Sequence, residues 1–232
     1  MKRNRVLDSK RRSKYKRDRR KPPSFHMTDR DIEVLRALNR YRYLRTGQVH
    51  DLLFSENTTN QSAQRRLRAL YHHSYINRAK PYVQVGQPEP EITYYLDRKG
   101  RNLLRGLGYE EVHLWRKNGN VKYHFLEHAV AISQFRVHLE RAVAVMDDVE
   151  IELFIPEFQM RRAAEDYAGR KRYLLFREAF HPVHQENFVV HPDALIVLSL
   201  QVQGSKRHLM LCLEIDRGTE GLEKIRDKLT GY

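Results

Sequence analysis

Near the C-terminal end, two apolar segments rich in β-branched residues flank a glycine-containing turn, and this pairing restricts the fold more than any other feature. Residues 187–200 read NFVVHPDALIVLSL, a polar QVQGSKR follows, and HLMLCLEID comes next. Composition and turn chemistry predict two neighbouring strands, and RGTEGLEKIRDKLTGY behind them predicts a helix. In the second segment Leu209, Leu211, Leu213 and Ile215 share one face, and Met210, Cys212, Glu214 and Asp216 share the other. A strand apolar on both faces is expected between other layers. Yet Asp193 interrupts the first apolar run, and Glu214 and Asp216 close the second. Gathering carboxylates in a poorly solvated place is unfavourable unless hydrogen-bond donors or a cation compensate. A divalent ion is the simplest compensator.

The remaining bounds come from charge and length. A chain of 232 residues can hold one large or two small domains. Its formal net charge of +14 favours a polyanionic partner, and ten of those charges fall within residues 1–21. That segment is too charged and too poor in apolar residues to fold alone, so residues 1–23 read as a basic disordered arm ending at Pro22 and Pro23. Arg11, Arg12, Arg19 and Arg20 are its expected phosphate contacts, adding salt-dependent affinity through counterion release. A solubilising tail or a localisation signal is the bland alternative. One cysteine, Cys212, excludes an intrachain disulfide and fits a reducing, cytoplasmic location. No apolar stretch approaches membrane-spanning length and no signal-peptide core is present, so no membrane partner is expected.

Residues 24–109 read as a winged helix-turn-helix domain. Thr28 caps a first helix carrying Ile32, Leu35 and Leu38 on one face, and a second begins at Thr46 and buries Val49, Leu52 and Leu53. The third, NQSAQRRLRALYHHS, has an inward stripe of Ala63, Leu67, Leu70 and Tyr71. Gln61, Gln64, Arg65, Arg68 and His72 occupy its outer side, the residue types that read base edges and phosphates in a major groove. Arg66 falls toward the flank. Two strands around a Pro-containing turn then form the expected wing, and a last helix from Asp97 turns Leu103, Leu104 and Leu107 inward. The same order can serve as a protein-docking module; the arginines and the basic arm favour DNA.

A polar linker is expected at 110–122, and a second domain at 123–232. It opens with a helix whose predicted inward stripe is Phe125, Ala129, Ile132, Phe135 and Leu139. A strand through Ile151, Leu153 and Ile155 follows, then a stretch readable only as a hairpin or lid, rimmed by Arg161, Arg162, Arg170, Lys171 and Arg172. Glu214, Asp216, Arg217 and Lys228 have a plain alternative as a buried ion-pair network without metal. A zinc site from His124 and His128, or from His181, His184 and His191, lacks the usual ligand spacing.

His191-Pro192-Asp193, followed after a hairpin by Glu214-Ile215-Asp216, resembles the PD-(D/E)xK core of restriction-endonuclease-like nucleases. EIDRGTEGLEKIRDKLTGY behind a Pro-Asp-Ala strand, with a winged helix upstream, is similar to the replication-relaxation family of plasmids, phages and integrative elements. The resemblance implies an α+β chain whose second domain is an α/β restriction-endonuclease-like unit with a mixed central sheet. It also implies a metal-dependent nickase or relaxase-like nuclease, with DNA as partner and Mg²⁺ or Mn²⁺ as cofactor. On the matching positions, Asp193 and Glu214 would be ligands, with Asp216 a third where the nuclease core usually has lysine. Lys228 would be the displaced lysine, and Glu127 (or Glu140) the helix-borne acid. Tyr232 is a less favoured nucleophile. The alternative is a non-catalytic replication initiator or transcriptional regulator with a degenerate nuclease fold. A homodimer and other replication or mobilisation proteins complete the expected partners.

Overall fold

The computed structural model describes residues 15–17, 22–56, 58–79, 91–109, 112, 121, 123–160, 177–181, 186–190, 192–218 and 221–231. The chain is α+β and divides into two compact units, residues 1–137 and 138–232. The predicted linker lies almost wholly outside the described residues, and the division falls inside a helix, Tyr123–Val143.

In the first unit, helix α1 (Asp29–Tyr41) starts at a capping box. The Thr28 hydroxyl accepts from the Asp31 amide, and the Asp31 carboxylate accepts from the Thr28 amide at 2.8 Å. A two-residue strand β1 (Leu44–Arg45) leads into α2 (Thr46–Leu53), and α3 (Gln61–His72) follows. Ser74 ends α3 in the left-handed region, with Tyr75 N–H donating to the Leu70 carbonyl and Ser74 N–H to that of Tyr71. This Schellman closure satisfies carbonyls that the helix end would otherwise strand. Strands β2 (Ile76–Ala79) and β3 (Thr93–Leu96) form an antiparallel pair with β1 against β3's other edge, in the order β1-β3-β2. The turn joining β2 to β3 lies outside the described residues.

Helix α4 (Arg98–Gly106) is capped by Asp97 and packs close to the end of α3. A Cβ on Gly100 would meet the Tyr75 carbonyl oxygen at 2.3 Å, so this approach requires glycine. Leu104 is buried and Leu103 packs on the core as expected, but Leu107 is exposed, because the helix ends at Gly106. Val34, Leu35, Leu38, Leu44, Val49, Leu67, Leu70 and Ile76 form the core of this unit.

Helix α5 (Tyr123–Val143) corrects the predicted stripe. Its buried residues are Leu126, Val130, Ser133, Arg136 and Val137, whereas Phe125 and Phe135 are exposed. Leu126 and Val130 pack with Tyr43, Ala79 and Tyr95 of the first unit, and Val137 joins the main core. Gln48 fastens the helix by donating to the Val130 carbonyl, and Ser133 by donating to that of Tyr41. The predicted stripe is wholly apolar, whereas the buried one includes Ser133 and Arg136, so apolar periodicity alone pointed to the wrong face.

The second unit contains β4 (Val149–Pro156), a one-turn helix α6 (Glu157–Met160), a hairpin of β5 (Arg177–His181) and β6 (Glu186–Val190), and strands β7 (Ala194–Val202) and β8 (Ser205–Leu213). Helix α7 (Leu222–Gly231) closes it. Three corrections follow. The expected mixed sheet is antiparallel throughout the described strands, ordered β4-β7-β8. The run 187–200 is not one strand: β6 pairs with β5, and Pro192, which lacks an amide donor, stands between it and β7. On β4 a register shift between Ile151 and Leu153 inserts one residue, so Phe154 is buried and Leu153 exposed, against the simple alternation. No helix of the described residues is long and apolar enough to cross a membrane.

Candidate functional site

Two groups of side chains have the geometry of a site, one in each unit. The first is the outer face of α3. Gln61, Gln64, Arg65 and Arg68, three and four residues apart, share one helical face, and all four are exposed. Gln64 donates to the Asn60 side chain at 3.0 Å. Among the described residues Arg65 and Arg68 have no ion-pair partner.

Arg66, between them in sequence, is fully engaged. Its Nε donates to Asp31 Oδ1 at 2.8 Å, and its terminal nitrogen bonds Asp31 Oδ2 and donates to the His26 carbonyl at 2.9 Å. Asp31 has no solvent exposure, and it also holds the Thr28 cap. The hydrogen bonds that Arg66 donates to Asp31 raise its pKa above the ordinary value, the outcome of a bidentate charge-assisted pair. The helix therefore separates an inward-tied arginine from two outward ones.

One residue of the basic arm has a structural role that composition did not reveal. Arg17 donates from Nε to the Tyr71 carbonyl at 2.8 Å, from a terminal nitrogen to the Ile76 carbonyl at 2.9 Å, and to Asp97 Oδ2. Its guanidinium also lies over the Tyr71 ring. It clips the arm to the junction of α3, β2 and the α4 cap. Nothing in a run of twelve basic residues marks out Arg17 as one that docks. Arg11, Arg12, Arg19 and Arg20 lie outside the described residues.

The second group sits where β7 begins and β8 ends. Ala194 pairs with Leu213, which sets Asp193 and Glu214 at the same end of the two strands. Asp193 is held from three directions. Its amide donates to the Leu213 carbonyl, its carbonyl accepts from Glu157 N–H, and its Oδ2 accepts from Ile215 N–H, each at 2.8 Å. Its backbone and carboxylate thus bracket Glu214. From α7, Lys228 Nζ donates to Glu214 Oε2 at 2.7 Å, with both side chains about a quarter to a third exposed, 25% and 30%. Asp193, Glu214 and Lys228 therefore come together. Asp216 accepts from Gly218 N–H at 2.8 Å and is exposed, folded onto its own turn.

Glu127 belongs to the first unit, where its carboxylate pairs with Arg45 at 2.5 Å. Among the described residues no three acidic, histidine or cysteine side chains gather so as to hold a metal ion. His191, His184, Tyr232 and the arginine rim at 161–172 lie outside the described residues.

Comparison with curated proteins and with solved structures finds no match. A family model described as replication-relaxation matches residues 35–232, from the middle of α1 through the second unit to its last residue. The chain belongs to the replication-relaxation family.

Proposed function

We propose that this is a DNA-binding protein acting in the replication or mobilisation of a mobile element, and that it meets duplex DNA with the outer face of α3. The order of three helices, a β2–β3 hairpin and a fourth helix supports reading the first unit as a winged helix with α3 as its recognition helix. One observation carries the reading: Arg66 is spent on buried Asp31, while Arg65 and Arg68 stay exposed beside Gln61 and Gln64 on a single face. Arginine and glutamine so arranged suit guanine and adenine edges as well as phosphates. Fluorescence anisotropy with labelled duplex at fixed salt tests this. Arg65→Ala with Arg68→Ala is expected to raise Kd at least about tenfold and to lower the salt slope by about two. Unchanged affinity would overturn the assignment.

A second reading adds metal-dependent nicking by the second unit, viewed as a restriction-endonuclease-like core, and what favours it is the meeting of Asp193, Glu214 and Lys228. Two carboxylates fit Mg²⁺ or Mn²⁺ only in the regime where water and a substrate phosphate complete the shell, since Lys228 already takes one Glu214 oxygen. Such an ion would supply Lewis-acid polarisation of a phosphate oxygen. The protein's own part is then to present Asp193 rigidly, through its bond to Ile215 N–H, and to set the Lys228 ammonium beside Glu214, where it offsets negative charge. A supercoiled-plasmid assay with Mn²⁺ should show nicking that Asp193→Ala and Glu214→Ala abolish with DNA affinity intact. Absence of nicking by the unaltered protein would discard this reading and leave the DNA-binding one standing.

A further inference from the structure

Strand β8 lies at the end of the β4-β7-β8 sheet, with no strand on its other side among the described residues. An open edge exposes a row of unpaired N–H and C=O groups, and proteins normally protect such edges with charge, proline or a bulge. The centre of β8 has none of these. Leu209, Met210 and Leu211 are 44%, 66% and 39% exposed, and Cys212 is exposed as well. Charge lies only toward the two ends: Lys206, Arg207 and His208 near the start, and Glu214 and Asp216 just past the finish.

That distribution selects an occupant. We propose that β8 pairs antiparallel with β8 of a second copy of this chain, about a two-fold axis at Met210. The phase follows from the hairpin. Gln203 and Gly204, both at positive φ, make a two-residue turn with Val202 opposite Ser205. A turn of this kind makes Val202 and Ser205 a hydrogen-bonded pair, so odd-numbered residues of β8 bond β7. Even-numbered residues therefore direct their backbone groups to the open edge. With Met210 on the axis, the even residues form the hydrogen-bonded pairs: Lys206 opposite Glu214, His208 opposite Cys212, and Met210 opposite itself. Leu209 meets Leu211 twice in the closely spaced pairs between them. Each basic end faces an acidic end, with Arg207 adding charge to Lys206 and His208, which share Glu152, and with Glu214 already held by Lys228; parallel pairing would set like charges together. The contact is isologous and closes at two copies. It draws on neither the α3 assignment nor the nuclease reading.

The full chain, free of DNA, should sediment as a concentration-dependent dimer in analytical ultracentrifugation. Met210→Lys places two like charges across the axis and should raise the dimer dissociation constant at least about tenfold, with circular dichroism unchanged. Because a charged edge variant can also disturb folding, a second variant reports register directly. Met210→Cys with Cys212→Ser should form an intermolecular disulfide under mild oxidation, whereas Leu200→Cys with Cys212→Ser should not. A monomer at every concentration would overturn the proposal. A dimer untouched by Met210→Lys, or one that fails to cross-link at residue 210, would also overturn it.

Discussion

The two units use charge and apolar surface in opposite ways. In the first, ionic groups are built into the packing: Asp31 is fully buried against Arg66, and buried Arg136 lies over the Tyr41 ring. In the second, the ion pairs of Glu152 with Lys206 and His208 are solvent-facing, that of Lys228 with Glu214 is only partly buried, and a whole strand centre of leucine and methionine meets water. Lys206, then His208, hold the Glu152 carboxyl below its usual range. A unit that has buried its charges with partners and closed its core presents only what it exposes for contact. One that leaves a strand's apolar centre open is incomplete until something covers it.

The sharpest way to break this contrast is to remove one charge from each unit. Arg66→Ala strands the Asp31 carboxylate without its counter-ion, and the loss of one member of a buried pair costs about 3 kcal/mol. Lys206→Ala removes a fully exposed partner and should leave stability nearly unchanged. Urea denaturation of each variant measures both. Equal losses would mean that the second unit's surface pairs are as structural as the first unit's buried ones.

The same test applies to apolar residues. Leu38→Ala, in the closed core, should destabilise by about 3 kcal/mol through lost transfer energy and a residual cavity. Leu209→Ala, measured where the chain is monomeric, should stay within about 0.5 kcal/mol. A large loss at Leu209 would show β8 covered within a single chain, and would remove the reason for an intermolecular partner.

These contrasts track what is legible in the residues. The first unit is readable because local signals agree: the Thr28 cap, the Ala63-Leu67-Leu70 stripe and the Asp97 cap each predict what tertiary packing then uses. The second is less so, because its periodicity is interrupted. The extra residue in β4 reverses the strand's phase after Ile151, and Pro192 splits one apolar run between two sheets. The rule that a doubly apolar strand lies between layers failed at β8, where position in the sheet overrides composition. At the carboxylate cluster, the hairpin pattern placed Asp193 near Glu214, and the family resemblance pointed to Lys228. Asp216 was not readable in this way, since a turn of three residues decided its orientation.

Alkaline titration extends the comparison. Tyr43, Tyr71, Tyr94 and Tyr95 are pushed above the ordinary phenol value chiefly by burial, Tyr95 to about 12. A raised phenol pKa means that folding favours the neutral form. The stability contributed by Tyr95 is thus complete below pH 10 and is lost as pH rises toward 12. Absorbance at 295 nm should show these tyrosines ionising late and together with loss of the first unit's structure by circular dichroism. Ionisation near pH 10 with structure retained would mean that the rings are open to water, and the contrast between the units would fail.

Beside the near-neutral control variants, the smallest expected effect concerns Arg17, an arm residue that joins the first unit's internal wiring. Its bonds to the Tyr71 and Ile76 carbonyls and to Asp97 connect α3, β2 and the cap of α4, but its side chain is partly exposed, so its loss should cost about 1 kcal/mol. Two truncations isolate it. Deleting residues 1–14 should leave the melting temperature unchanged while flattening the salt dependence of DNA binding, because seven basic residues are removed and the clip remains. Deleting residues 1–21 should flatten it further and also lower the melting temperature by a few degrees, a drop that Arg17→Ala alone should reproduce with the arm intact. If the longer deletion melts like the shorter one, Arg17 contributes nothing to the fold. The arm would then act by charge alone, and the boundary between structural and partner-seeking arginines would lie at residue 22 rather than inside the basic run.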